Sequence, residues 1–215
     1  MDKIDTPTLS LLTRIQEIVA KAHSLEPFDK DHINNVCGVD VSYRSEKAVA
    51  SAVVWSCFDR KVVEVSKYID KPFFPYRSGY FFIREAPLLI SAVKALEVEP
   101  DIVLVDGHGI AHPRRAGLAV FVGIALDMPT LGFAKSILVG KIGSFKGITA
   151  PILLEGSTVG VALRVRENGK TYFVSPGHKL TVEESSIIAQ SEYKNLIKAL
   201  ELAHNSSKKI LGEGK

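Results

Sequence analysis

The 215-residue chain is 46% hydrophobic and 24% charged, enough to bury a full core as one domain and too apolar for long disorder. Its formal charge of +3 permits a polyanionic partner without arguing for one. Two cysteines, Cys37 and Cys57, make no disulfide framework, no apolar run reaches the ~18 residues of a membrane span, and no secretory h-region opens the chain, so a soluble, cytoplasmic protein is expected.

Taken in order, Thr6-Pro7 opens a helix, with Thr6 as N-cap and Leu11, Leu12, Ile15, Ile18, Val19 and Ala22 on one face. Residues 36–43, 48–58 and 62–69 read as three strands joined by short turns, hence an antiparallel meander. The first carries Asp40 in the middle of an apolar run, where a carboxylate is costly. Residues 71–80 form a loop of Pro, Gly and aromatic residues in which Phe73 and Phe74, with Phe82 beyond it, tuck onto the core and Tyr76 is an exposed ring. A helix over 86–97 follows, with Glu85 at its N-terminal end. Ile102 to Val105 is an unbroken apolar run, a strand buried on both faces, and it ends directly in Asp106-Gly107-His108-Gly109. Residues 116–126 are apolar almost all round and predict a deeply buried helix. Thr130 to Ala134 is a fifth strand leading into Lys135, and 137–157 read as irregular. Residues 159–165 and 171–174 pair around Glu167-Asn168-Gly169. A helix then runs from Val182 to His204, with Thr181 as cap and Glu184 completing a capping box, and the polar tail after Asn205 reads as frayed.

This order gives an α/β domain: a mixed central sheet flanked by helices, with an appended hairpin and a C-terminal helix. Three antiparallel strands followed by two strand–helix units is the order of the ribonuclease H-like fold. In that arrangement the first strand lies beside the fourth, and Asp40 and Asp106 become neighbours. Two adjacent carboxylates repel unless a cation lies between them, and hard oxygen ligands suit Mg²⁺, with Mn²⁺ able to substitute. Glu85 can reach the same place and Lys135 ends the next strand, a set suited to metal-assisted phosphodiester hydrolysis. Gly107 and Gly109 allow a ligand close to the backbone, and His112, Arg114 and Arg115 offer donors to phosphate. A stiffly held Tyr76 ring can wedge between bases and leave a flipped base for a neighbouring pocket.

Gly38-Val39-Asp40-Val41-Ser42-Tyr43, Pro75-Tyr76-x-x-Gly79 with Arg84-Glu85, Val105-Asp106-Gly107-His108-Gly109-x-x-His112-Pro113-Arg114 and Gly132-Phe133-Ala134-Lys135-Ser136 resemble the endonuclease V family in content, order and spacing. Ser175-Pro176-Gly177-His178 also looks like that family, and the likeness runs from about residue 36 to 188. The resemblance implies a Mg²⁺-dependent nuclease of DNA containing deoxyinosine. It would cut the second phosphodiester bond on the 3′ side of the lesion, leaving 3′-hydroxyl and 5′-phosphate ends. It further implies Asp40, Glu85 and Asp106 as metal-site carboxylates and Lys135 as the catalytic-site lysine. Tyr76 would be the wedge, Gly79 part of the base pocket and His112 a DNA or active-site contact. A monomer is expected.

Two departures stand out. Arg77-Ser78 replaces the family's Ile-Pro after the wedge tyrosine, which loosens the loop and adds a charge. The Pro-Glu-Pro-Thr-Arg pattern that precedes a functional histidine in bacterial members is missing, so His204 reads as a core or solvated helix residue. The alternatives are a ribonuclease H-like nuclease of inosine-containing RNA or structured DNA, and a binding module that does not cleave. Clustered carboxylates argue against the last, because without metal they repel phosphate.

Overall fold

In the computed structural model, which describes residues 5–28, 33–72, 74–166 and 169–212, a single mixed sheet carries the site. Its strands are β1 (Asn35–Arg44), β2 (Lys47–Ser56), β3 (Lys61–Asp70), β4 (Ile102–Val105), β5 (Thr130–Ala134), β6 (Lys141–Ile142), β7 (Thr149–Leu154), β8 (Ser157–Arg164) and β9 (Thr171–His178). Among the described residues the spatial order is β3-β2-β1-β4-β5-β9-β8-β7-β6. The meander is antiparallel, β1 pairs parallel with β4, and β4 parallel with β5.

The period-two alternation of strand side chains assigns each face its helices. Cys37 and Val39 of β1 and Val103 and Val105 of β4 pack with α2 (Phe81–Lys94) and α3 (Leu118–Leu126). The intervening Val36, Ile102 and Leu104 pack with α4 (Val182–Ser191) and α5 (Tyr193–Gly212). The backbone of α5 sits directly on β1 at Gly38, where an added Cβ would lie 2.4 Å from the carbonyl carbon and oxygen of Ala199.

Several expectations shift. The N-cap of α1 (Thr6–Ala22) is Asp5, whose carboxylate accepts the Thr8 N–H at 2.7 Å, and Leu11 and Ile18 point outward while Leu12 and Gln16 are buried. α2 begins at Phe81 and contains Pro87, so Glu85 lies a full turn inside it. Stacking of Phe82 on Phe121, centroids 3.8 Å apart, anchors that extra turn. Phe82 is buried and Phe74 packs on the core as expected; Phe73 lies outside the described residues. Residues 137–157 are not irregular throughout: β6 and β7 extend the sheet, the second concealed in the sequence by Pro151 and by a register shift at Ile152/Leu153. The β8–β9 hairpin forms and is part of the same sheet, with β9 antiparallel to β5 as well; the turn residues Glu167 and Asn168 lie outside the described residues. The C-terminal helix breaks at Glu192 into α4 and α5, and the capping box of Thr181 and Glu184 is present. The segment after Asn205 is helical to Gly212 because it presents the buried Ser207 to β1.

Gly38→Ala is expected to unseat α5 and cost about 1–3 kcal/mol of stability, as overpacking typically does. Urea denaturation reads it, and an unchanged midpoint would mean that α5 has room to move off β1.

Candidate active site

The parallel pairing of Val36–Val39 with Ile102–Val105 makes Asp40 and Asp106 the next residues on adjacent strands, and the Asp106 N–H reaches the Val39 carbonyl at 3.4 Å. Asp40 lies inside β1, which outruns β4, whereas Asp106 is at the strand's end and more open. The two carboxylates find different neighbours. Asp106 Oδ2 takes the Lys135 ammonium at 2.5 Å, delivered by the end of β5. Asp40 Oδ2 accepts from His204 Nδ1 and from Ser207 Oγ, both at 3.0 Å and both on α5. Ser207 is itself tied to Ser42 Oγ at 2.7 Å, so α5 and β1 are clamped at the carboxylate.

Glu85 approaches from α2, on the opposite side of β1, and accepts the Tyr43 hydroxyl at 2.8 Å. The Arg84 guanidinium lies over the same tyrosine ring, 4.3 Å from its centroid. Burial pushes the Glu85 carboxyl up to about 8; the Tyr43 hydrogen bond opposes this, and the charges of Asp40 and Asp106 reinforce it. Burial likewise raises Asp40, against the hydrogen bond from His204 and together with the Asp106 charge. Burial works to lower Lys135, but the hydrogen bond and charge of Asp106 outweigh it and hold its pKa above the usual value, so it stays an ammonium.

Among the described residues no three His, Cys, Asp or Glu side chains are close enough together to enclose a metal ion. The donor set nevertheless suits a hard divalent cation. Three carboxylates within electrostatic reach of one another are held by a lysine, by a histidine–serine pair and by a tyrosine, and their mutual repulsion is what a cation relieves.

Beside Asp106 and Lys135 opens a cavity of about 330 Å³. Tyr76, Gly79, Gly107 and His112 share its lining with them. Tyr76 is 62% exposed and meets Phe81 edge-on at 5.5 Å between centroids. Gly79, at φ +80°, turns its carbonyl inward, where it accepts from Gln16 Nε2 and from an Arg114 guanidinium nitrogen, each at 2.9 Å. Arg114 Nε also donates to Gln16 Oε1 at 2.5 Å, and its guanidinium lies over Tyr80. Arg84 donates to the Phe74 carbonyl at 2.6 Å and pins the other end of the loop. The loop that carries Tyr76 is thus lashed to α1, to α2 and to the segment after β4.

Residues 17–204 match the profile of the endonuclease V family. The chain belongs to that family. An endonuclease V from Geotalea uraniireducens is 40% identical over 182 residues, 83% of this chain and 77% of that one. The crystal structure of endonuclease V from Streptomyces avermitilis superposes with a TM-score of 0.84 at 31% identity, covering 95% of this chain and 93% of that one. Ciona intestinalis endonuclease V, in complex with a 24mer DNA containing an inosine followed by a ribo-adenosine, gives a TM-score of 0.84 at 25% identity, covering 97% and 100%. The chain is therefore a nuclease, a hydrolase acting on DNA, on a ribonuclease H-like fold.

As an endonuclease V, the protein brings Asp40, Asp106 and Lys135 together as expected and places Tyr76, Gly79, Gly107 and His112 on one cavity. Gly109 is a correction. It is pressed against β9, where a Cβ would fall 2.0 Å from the Pro176 carbonyl oxygen, and its N–H goes to Ser175 Oγ, so it packs the loop and leaves no room for a ligand. Arg114 holds the loop, and Arg115 turns to the Leu154 carbonyl at 3.3 Å, away from the cavity. His204, read from sequence as a core or solvated residue, is on Asp40 instead. Ser207 and Gln16 went unpredicted; Gln16 on an otherwise apolar helical face was the available signal for one, and nothing local signalled the other.

His112 offers a pH test. Burial, then the charges of Arg114 and His108, depress its pKa from 6.5 to about 4, and its Nδ1 accepts the Arg114 N–H at 3.2 Å. The fold favours the neutral ring, so this contribution to stability is complete above about pH 6.5 and is lost as pH falls toward 4. His112→Gln should flatten that acid limb, with denaturation at pH 7 and pH 4.5 showing a smaller difference than in the parent.

Proposed function

We propose that Asp40, Glu85 and Asp106 hold a divalent cation, Mg²⁺ with Mn²⁺ as substitute, and that with Lys135 they hydrolyse the second phosphodiester bond 3′ to deoxyinosine. As a member of the endonuclease V family the protein is a DNA repair endonuclease acting on deoxyinosine. The observation that carries the finer reading is a shared wall. Asp106 and Lys135 bound the same cavity as Tyr76, Gly79 and His112, so a base lodged there puts its strand next to the carboxylates. At about 330 Å³ the cavity falls at the small end of ligand sites, roughly 300–1,000 Å³.

Asp40, Glu85 and Asp106 would hold the divalent ion, which would supply Lewis acidity and lower the pKa of a water at the phosphate. The protein's own groups do the rest. Lys135 neutralises charge on the phosphate undergoing attack. His204, donating Nδ1–H to Asp40, fixes that carboxylate's orientation and leaves its Nε2 facing away from it. Tyr76, exposed on a pinned loop, fills the gap left in the stack when the lesion base swings out. The Gly79 carbonyl, gripped by Gln16 and Arg114, keeps that part of the cavity wall from collapsing when no base is present.

Cleavage of a labelled duplex with a single deoxyinosine, mapped to the nucleotide in Mg²⁺ and in EDTA, should give a metal-dependent nick one nucleotide beyond the lesion, with 3′-hydroxyl and 5′-phosphate ends. Silence on DNA with cutting of inosine-containing RNA would move the substrate and keep the site. Asp106→Asn is expected to abolish cleavage while remaining folded; near-normal cutting by it would remove this site. Tyr76→Ala should weaken capture of the lesion, seen as a raised KM, and leave the unfolding free energy from urea denaturation within about 0.5 kcal/mol of the parent, as for exposed positions generally.

A further inference from the structure

Asp106 and Lys135 also bound a second cavity, of about 220 Å³, which shares neither Tyr76 nor Gly79 nor His112 with the first. The pair is therefore a partition with a chamber on each side. The floor of the second chamber comes from β5 and β9: the half-buried Tyr172 ring, backed by the buried Phe133 with centroids 4.9 Å apart. Its wall is one face of α5, where Leu200 and His204 succeed each other at a spacing of four. The exposed Lys170, next to the start of β9, adds a second ammonium to that of Lys135, and Glu201 adds a carboxylate to that of Asp106. Two cations against two anions give no net pull on phosphate. What the chamber offers is an aromatic and aliphatic surface.

We infer that this second chamber binds the nucleotide immediately downstream of the cut, the second on the 3′ side of deoxyinosine, by stacking its base on Tyr172 against Leu200. The inference rests on the reaction proposed above. A strand that lodges its lesion base in the first chamber and presents its second 3′ phosphate to Asp106 and Lys135 spends one nucleotide crossing the partition. The next nucleotide, whose 5′ oxygen keeps the phosphate while the 3′ oxygen of the nucleotide before it leaves, emerges over the second chamber. Stacking on an aromatic ring tolerates any base, so this subsite grips every sequence context and aligns the 5′ phosphate of that nucleotide for attack without reading its base.

The test begins with the substrate. In a duplex with one deoxyinosine, the second nucleotide on its 3′ side is replaced by an abasic tetrahydrofuran residue, and kcat/KM is compared with that of the ordinary duplex and of one with the abasic residue two places further downstream. Loss of one base stack should lower kcat/KM by roughly five- to a hundredfold at the first position, with little change at the second. Tyr172→Leu should lose a similar factor on the ordinary duplex and little more on the abasic one. Equal rates on the abasic and ordinary duplexes overturn the inference, as does a Tyr172→Leu loss that is the same on both. The underlying reading fails in a different way: the ordinary duplex itself would go uncut at its second 3′ bond.

Discussion

A carboxylate in the middle of a strand, packed against a helix, is the constraint on which this architecture depends. Asp40 cannot be withdrawn into an apolar core without partners, since an unpaired buried charge costs several kcal/mol. Its partners come from a helix 164 residues further along the chain, through His204 and Ser207. Those bonds require α5 to lie almost on the backbone of β1, and Gly38, two residues before Asp40 and on the same face, is what lets it. A single stretch of β1 thus supplies both the seat for the helix and the carboxylate the helix must satisfy. The chemistry and the packing are not separable there.

The other side of the site is governed by a backbone oxygen. The Gly79 carbonyl collects donors from α1 and from the segment after β4, and Arg114 and Gln16 are bound to each other as well as to it. Gln16 sits essentially fully buried and also donates to the Ala116 carbonyl at 3.1 Å. An amide with its donor and acceptor both used costs little to bury and specifies one loop position, which an apolar side chain would not. This compensates for the absence of a second proline between Tyr76 and Gly79. Rigidity that the local sequence lacks at Arg77-Ser78 is supplied by hydrogen bonds from α1 and Arg114.

The sheet itself explains why Asp106 and Lys135 are accessible from two sides. β9 adds antiparallel to β5, and β8 and β7 continue from it, so β5 is an interior strand and its terminal Lys135 projects over the middle of the sheet. α2 and α3 cover one face and α4 and α5 the other. The carboxylates lie where β4 stops short of β1, a notch between the two helical layers. Electrostatic tension gathers at that notch: Glu85 and Asp40 both resist ionisation because burial and neighbouring anions penalise their charge.

How much of this could be read from the chain depends on the range over which each interaction acts. Apolar periodicity placed β1 to β5, the buried α3 and the capping box of α4, because facing, burial and capping are set by residues a few positions apart. Asp40 and Asp106 were legible for the same reason: each interrupts or ends an apolar run, and parallel register carries them together once the strand order is known. The short β6 and β7 were hidden by Pro151 and by a bulge, and α2's first turn by Pro87, since local propensity there opposes what packing against the sheet enforces. The folded tail after Asn205, the grip of His204 and Ser207 on Asp40, the packing role of Gly109, and the lashing of Gly79 by Gln16 and Arg114 were decided by tertiary structure alone. Each joins elements distant in the chain or presses two backbones together, and no local pattern records which partner a polar side chain will meet when the layers close.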